Sequence, residues 1–427
     1  MRDLLITLIV FGAVPFILMR PFIGVYVWSW LSYMNPHRFS WGFAYDMPFA
    51  AVTAGALLIG LLTTKEKNKF PLNRVTVFWL LFIFWVILST LFAISFETSV
   101  VELKRVIKIQ LITLVTLLLI TSKKKLDYLI WAIVISLGFF GVKGGVFTVA
   151  TAGSYRVWGP PDSFIEGNNE LALALLMILP LMWYLRSQAT NLWVKRVLLI
   201  SVALTMLSII SSYSRGAFLA AAAVMIMFWL KSSKKLLIGI ALVIVAVGTL
   251  AFMPAKYIDR MSTIQTYEED TSAMGRINAW QFAFNLAKDR PLTGGGFGTF
   301  TKSLFMTYAP NPLDHHDAHS IYFEVLGEQG FVGLFLFLGM WFFVFRLCSN
   351  IIAQTKGDEK YGWANVLARM VQVSIVAYAV GGAFLGLAYF DLPYHLMCIA
   401  VLCHSFISKE SGTYVRREMT NPVGRML

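Results

Sequence analysis

Charge is what this sequence has least of. Asp, Glu, Lys and Arg make up only 14% of its 427 residues, against about 25% in an ordinary soluble domain. A chain that is 58% hydrophobic has too little polar surface for water, so lipid must be the solvent for most of it. Cysteine is nearly missing too. Cys348, Cys398 and Cys403 lie in or beside apolar runs, which excludes a disulfide framework and any zinc-ligand spacing. The apolar runs lack period-two alternation, which excludes a lipid-facing barrel. Helices remain, because lipid offers no partner to a backbone N–H or C=O. No small-residue cleavage site follows the opening MRDLLITLIVFGAVPFILMR, so it reads as a retained segment and not as a removed signal. Internal repeats and low-complexity stretches are absent.

What is present is a succession of apolar runs, each able to cross a hydrocarbon core about 30 Å thick. They fall near 4–34, 47–63, 75–95, 106–121, 127–150, 169–185, 197–212, 216–230, 236–253, 320–346, 362–388 and 392–408, about twelve crossings by length. Pro15 and Pro21, with Arg20 between them, can break the first run into two helices. Two full crossings there make about thirteen and move the N-terminus to the other side. The expected architecture is all-α and polytopic. Residues 1–253 hold the N-terminal transmembrane helices, 254–317 a large, partly helical external loop, 318–408 the C-terminal transmembrane helices and 409–427 a cytoplasmic tail.

The net charge of +13 is distributed, not general. Basic clusters at Lys65–Arg74, Lys123–Lys125, Arg186–Arg196, Lys231–Lys235, Arg346–Lys360 and in the tail all fall on one side when crossings are counted, and that side is cytoplasmic. The basic excess is therefore a topology signal, and nucleic acid is excluded as the partner. The 254–317 loop carries six basic and seven acidic residues, so charge as well as counting puts it outside. Within it, Ile277, Trp280, Phe284 and Ala287 recur at helical spacing. Pro291 ends that helix, and Gly294, Gly295, Gly296 and Gly298 form a turn that could cradle a phosphate.

Ionisable groups at the membrane edge are expensive and need a reason. Arg215 ends the polar run Ser211-Ser212-Tyr213-Ser214-Arg215-Gly216 in a tight turn on the external side. It is either a snorkelling cap or an anion site, since guanidinium grips phosphate oxygens with paired hydrogen bonds. Arg156 opposes the usual charge bias in the same way, with Glu166 as a simple alternative partner. Arg276 opens the expected external helix. Lys143 interrupts an apolar span and can reach the external surface. His315 and His319 are four apart in Asp314-His315-His316-Asp317-Ala318-His319. A metal pair is one reading, although Pro312 argues for loop there. His319 reads alternatively as a helix cap or as a base. In the first turn of a long transmembrane helix, the positive helix end keeps its imidazole neutral and able to take a proton from a sugar hydroxyl. Asp391, just before Pro393, can orient a histidine, pair with an arginine or cap a helix.

Together these residues resemble a family. Ala318-His319-Ser320-Ile321-Tyr322-Phe323-Glu324-Val325-Leu326-Gly327-Glu328-Gln329-Gly330 is similar to the histidine signature of bacterial O-antigen ligases. Ser214-Arg215-Gly216 resembles that family's arginine turn, and Gly275-Arg276 with Trp280 and Pro291-Leu292-Thr293-Gly294 its large loop. The opening, Trp28-Ser29-Trp30-Leu31-Ser32-Tyr33-Met34-Asn35-Pro36-His37-Arg38, resembles the branch of O-glycosylation ligases associated with exosortase systems. The likeness spans essentially the whole chain. Its histidine motif is shared with O-antigen polymerases, so it fixes the superfamily better than the acceptor.

The resemblance implies a GT-C-like, inverting, metal-independent glycosyltransferase in a bacterial inner membrane, working on the periplasmic side without a cofactor. Its donor would be an undecaprenyl-diphosphate-linked glycan and its acceptor a sugar of lipid A-core. His319 would be the general base; Arg215, Arg276 and Arg156 would hold the diphosphate, with Asp391 in support. The rivals are an O-antigen polymerase, transfer to a protein hydroxyl, and a flippase. A flippase would carry its ionisable groups at the midplane, whereas these gather at one edge.

Overall fold

The computed structural model describes residues 1–231, 236, 239 and 271–420. The span expected near 236–253, apart from 236 and 239, lies outside the described residues, and so does the 254–270 part of the large loop. Among the described residues there are fourteen α-helices and no strand. They are α1 (Arg2–Met19), α2 (Phe22–Met34), α3 (Phe49–Thr63), α4 (Arg74–Leu91), α5 (Phe96–Leu119), α6 (Lys123–Ala150), α7 (Asn168–Gln188), α8 (Leu192–Ile210), α9 (Arg215–Lys231), α10 (Thr271–Asp289), α11 (Lys302–Tyr308), α12 (Ile321–Gln354), α13 (Gly362–Gly381) and α14 (Asp391–Thr420). Short 3-10 turns follow α2 and α13.

Eight of these helices are long and apolar enough to cross a membrane, and α3 and most of α9 are shorter apolar helices. The chain is a multi-pass helical membrane protein. α7 and α14 are the most enclosed of the eight, with 78% and 83% of their apolar windows buried, while α1 and α8 show 17% and 22%. The first two therefore pack on protein around most of their girth, and the last two leave most of theirs to lipid.

Loop contacts sort the helix ends onto two faces. On one, the Lys125 ammonium bonds Glu66, the Asn68 amide bonds the Leu118 carbonyl at 2.7 Å, and Lys409 reaches Asn68 Oδ1 at 2.9 Å. This is the face of the basic clusters. On the other, Tyr45 bonds Asp162 at 2.9 Å, the Ile94 amide bonds the Gly295 carbonyl at 2.8 Å, and the Val157 amide bonds the Ser211 carbonyl at 3.3 Å. The first apolar run is a hairpin of two helices. Asp3 Oδ1 accepts from the Gly42 and Ala44 amides at 3.1 Å each, and Arg2 bonds the Phe39 carbonyl. Both ends of the hairpin thus lie on the face of the 35–46 loop, and the N-terminus moves there with them. The proline-bounded break expected at Arg20–Pro21 is realised.

Residues 96–105, which the sequence leaves as a connection between two apolar runs, are helical instead. They are the first ten residues of α5. The Arg105 guanidinium sits 3.9 Å from the Phe164 ring, a cation–π contact.

Helices in lipid gain no hydrophobic drive from meeting one another, so close backbone approach must supply the attraction. α6 supplies it with Gly141, Gly144 and Gly145 against α8. A Cβ on Gly145 would lie 2.1 Å from the Leu204 carbonyl oxygen, so only glycine fits. α12 is broken at Gly330, whose φ of 69° and ψ of −172° are open only to glycine. The carbonyls left over by the break need partners. The Gly295 and Gly296 amides supply them, bonding Gly327 O at 2.8 Å and Glu328 O at 3.0 Å, and the Gly298 amide bonds Glu328 Oε1 at 3.0 Å.

The hairpin makes a sidedness prediction. The native cysteines are buried, so background labelling is low. An impermeant maleimide should react with Arg2→Cys and Trp41→Cys from the same side of a sealed membrane, and with Lys67→Cys only from the other. Arg2→Cys and Lys67→Cys labelling together would break the hairpin assignment.

Candidate functional site

The site is organised by α10 and by the loop that leads into α12. Asn278 on α10 is 6% exposed. Its Nδ2 donates to the carbonyls of Asn311 and Asp314 at 2.8 Å each, and its Oδ1 accepts from the Asn311 amide at 2.9 Å. One side-chain amide thereby holds both ends of 311–314. Two residues on, Trp280 Nε1 donates to the Ala318 carbonyl at 2.8 Å, and the indole stacks on Phe323 with centroids 5.1 Å apart and planes 7° apart. α10 is thus fixed to the head of α12 by its own side chains. Arg276 lies one helical turn before Trp280, so this pinning aims Arg276 at the residues around Ala318.

Gly275 follows the same logic. A Cβ there would stand 2.6 Å from His316 Nε2. His316 is itself held by Asp314, Nε2 to Oδ1 at 2.8 Å. His319 precedes the helix: Ser320 is the N-cap of α12, and His319 has φ of +41°. Sequence reading placed His319 in the first turn, but the strained backbone holds it just outside.

Arg215 begins α9. The turn before it is bonded to its surroundings as well as to itself. Ala217 N bonds Ser214 Oγ at 3.1 Å, Ser212 O accepts from Asn168 Nδ2 at 2.6 Å, and the Tyr213 hydroxyl bonds the Gly153 carbonyl. Tyr213 takes a φ of 56° to make the reversal. The turn is thereby tied both to α7 and to the 151–167 loop, and Arg215 is left at the N-terminus of α9, where a helix favours anions.

Two spaces meet at Arg276. One, of about 20 Å³, is lined by Asn169, Ser214, Arg215, Gly216, Arg276, Phe384 and Leu385. The other, of about 580 Å³ and open to the exterior, is lined by Met274, Arg276, Asn311, Leu313, Asp314, His316 and His319. Two guanidinium groups therefore face one small space, and one of them shares the larger space with the histidine. Burial first, and then the Arg276 charge, push the His319 pKa below the ordinary imidazole value; Asp317 opposes this and His316 adds to it. The imidazole is accordingly neutral at pH 7 and can accept a proton.

Not every candidate joins them. Arg156 lines neither space. Its loop is bonded to the Arg215 turn through Ser211 Oγ and Tyr155 O at 3.1 Å, and it forms no ion pair with Glu166 among the described residues. Asp391 is 1% exposed and bonds Ser32, beside the Tyr33 hydroxyl and His395 Nδ1, which are 2.6 Å apart. It joins α2 to α14 and does not reach the arginines. His315 Nε2 meets the Phe300 carbonyl at 2.9 Å, and 314–319 are not helical, so His315 and His319 share no helical face. The glycine turn is no phosphate cradle in this arrangement, because the Gly295, Gly296 and Gly298 amides are spent on Gly327 and Glu328.

Sequence reading missed Asn278, Asn169 and Glu170. Glu170 lies within electrostatic reach of Arg276. The polar run Gly167-Asn168-Asn169-Glu170 at the head of an apolar helix was the available signal for the last two.

Comparison with known proteins divides the chain in two. Residues 1–190 match a family of unknown function, and residues 199–338 match the model described as O-antigen ligase. No curated protein matches the chain. The second stretch contains Arg215, Arg276 and His319, the three side chains that the two spaces join. Residues 199–338 of this multi-pass membrane protein are therefore a domain of the O-antigen ligase family.

Proposed function

We propose that the protein transfers a glycan from a polyprenyl diphosphate, undecaprenyl diphosphate in a bacterial inner membrane, to a sugar hydroxyl of lipid A-core on the periplasmic side. The observation that carries this reading is the sharing of Arg276 between the space that Arg215 lines and the space that His319 lines. A leaving group and a base are needed on opposite sides of one anomeric carbon, and the two spaces offer such a pair of positions. His319 takes the proton of the attacking hydroxyl. The hydroxyl oxygen forms the new bond to the anomeric carbon as the bond to the diphosphate breaks, with inversion, and the departing oxygens carry the electron pair to Arg215 and Arg276. Preorganised cations stabilise that developing charge without reorganising. Arg156 stands behind the Arg215 turn, as a second-rank contact to the glycan or phosphate, and Asp391 supports the helix junction.

The direct test is a joined product from purified protein, polyprenyl-diphosphate-linked glycan and lipid A-core, formed in the presence of chelator. His319→Ala should abolish it, and Arg215→Ala should lower turnover by about 10²–10³. A requirement for a divalent ion, or near-normal turnover of His319→Ala, would end the proposal. The acceptor is read in a deletion strain: uncapped core marks a ligase, while core capped by single repeats marks a polymerase.

The pH profile carries a second, independent prediction. A base whose pKa is lowered keeps working as pH falls, so the acid limb of kcat/KM should lie below about 6.5. Arg276→Gln removes a cation that depresses His319, and its limb should move to higher pH. Asp317→Asn removes a charge that raises it, and its limb should move lower. Unmoved limbs in both variants would detach His319 from the chemistry.

A further inference from the structure

α6 and α8 close tightly at one end and part at the other. At Gly141 and Gly144 the α6 backbone meets the Thr205 and Ser208 side chains, and at Gly145 it meets the Leu204 backbone. Towards Trp131 and Trp193 they open into a groove of about 610 Å³, whose walls include Phe139, Met182 and Val197. Gly138 leaves the floor open, since a Cβ there would come within 2.9 Å of the Met182 methyl. The lining contains no carboxylate, and Lys143 is its one charged group.

From Trp131 to Lys143 the groove follows twelve residues of α6, about 18 Å at helical rise. That exceeds half of a hydrocarbon core about 30 Å thick. A chain anchored at Lys143 would lie along the groove past the midplane, which is the reach of a lipid tail and too long for a small amphiphile. Lys143 stands near the end of α6 remote from Lys123–Lys125, where the charge bias disfavours cations. Its ammonium is 5.7 Å from the Phe39 ring, and no carboxylate pairs with it among the described residues. One cation above one apolar slot is complementary to one phosphate above one chain.

We propose that this groove holds an acyl chain of an anionic glycerophospholipid, such as phosphatidylglycerol, with its phosphate on Lys143. The site is separate from the proposed donor site: none of its lining residues lines either space at Arg276, and a diphosphate would call for more than one cation. The inference does not depend on the proposed transfer reaction.

The full-length protein can be tested in phosphatidylcholine vesicles doped with phosphatidylglycerol that carries a photoreactive group on one chain. Adducts should concentrate on peptides covering 131–142 and 193–201. Unlabelled phosphatidylglycerol should compete and phosphatidylcholine should not. Lys143→Gln should weaken labelling about fivefold, the effect of one surface cation on an anionic lipid. Val197→Trp, which fills the slot and leaves Lys143 in place, should also reduce it. A lysine that merely snorkels would give equal labelling by a phosphatidylcholine probe and no change in Lys143→Gln, and either result overturns the proposal. Adducts spread evenly over the lipid-facing helices, or displacement of the probe by polyprenyl phosphate, overturn it as well.

Discussion

The site depends on two hydrogen-bonding side chains of α10 more than on any group that would touch a substrate. Asn278 fixes the 311–314 loop and Trp280 fixes the carbonyl of Ala318. These bonds decide where Arg276 points, since it shares their helix, and where His319 sits, since it follows Ala318. A guanidinium on a flexible stem and an imidazole in a loop would otherwise be too loosely placed for transfer chemistry, in which small misplacements are costly. The aromatic stack of Trp280 on Phe323 adds about 0.5–1.5 kcal/mol beyond area burial.

Lipid as solvent explains the rest of the design. Every irregular stretch of backbone has to find its partners inside the protein. The break at Gly330 shows the consequence. α12 stops, two carbonyls are left over, and the glycine turn 294–298 docks on them. That turn looks, in sequence, like a place to bind phosphate, because glycine-rich amides so often do. Its amides are already committed, and the conformations at Gly294, Gly296 and Gly298 serve the docking. The same stretch ties the C-terminal end of α10 to the break in α12, through the Phe331 amide and the Pro291 carbonyl at 2.9 Å. α10 is therefore held at Trp280 and again beyond its C-terminus.

Sequence made the membrane class, the two faces and three of the site residues legible, for separable reasons. Hydropathy and the distribution of Lys and Arg are properties of single residues and survive without coordinates. Arg215 stood out because the crossing count sets it opposite the basic clusters, and His319 because it lies beside a helix start. Asn278 was not legible. An asparagine inside an amphipathic helix has no signature until the chain it clamps is seen, and that chain begins 33 residues later. Asp391 stayed open in sequence to three readings, orienting a histidine, pairing with an arginine or capping a helix; it stands at the head of α14, where Ser32 reaches it from α2. Sequence leaves 96–105 as a connection because its charges interrupt the hydropathy, whereas the segment is helical.

The unequal sizes of the two spaces bear on how a donor would enter on the proposed reading. About 20 Å³ between Arg215 and Arg276 is room for roughly one water, and a diphosphate is larger. The space is bounded on one side by the α9 terminus, where Gly216 already lies 3.2 Å, measured from an added Cβ, from Phe384 Cβ. Moving α9 would break the hydroxyl network of 211–214. The other wall, Phe384 and Leu385, belongs to the short connection between α13 and α14, and it is the cheaper part to displace. Its neighbour Trp280 lies 6.4 Å from Phe384, ring to ring. A shift of that connection would therefore be felt by the residue that aims Arg276. Donor entry and the alignment of cation with base are in this way linked through one aromatic contact, which favours an ordered reaction: the diphosphate settles first, and the large open space beside His319 receives the acceptor afterwards.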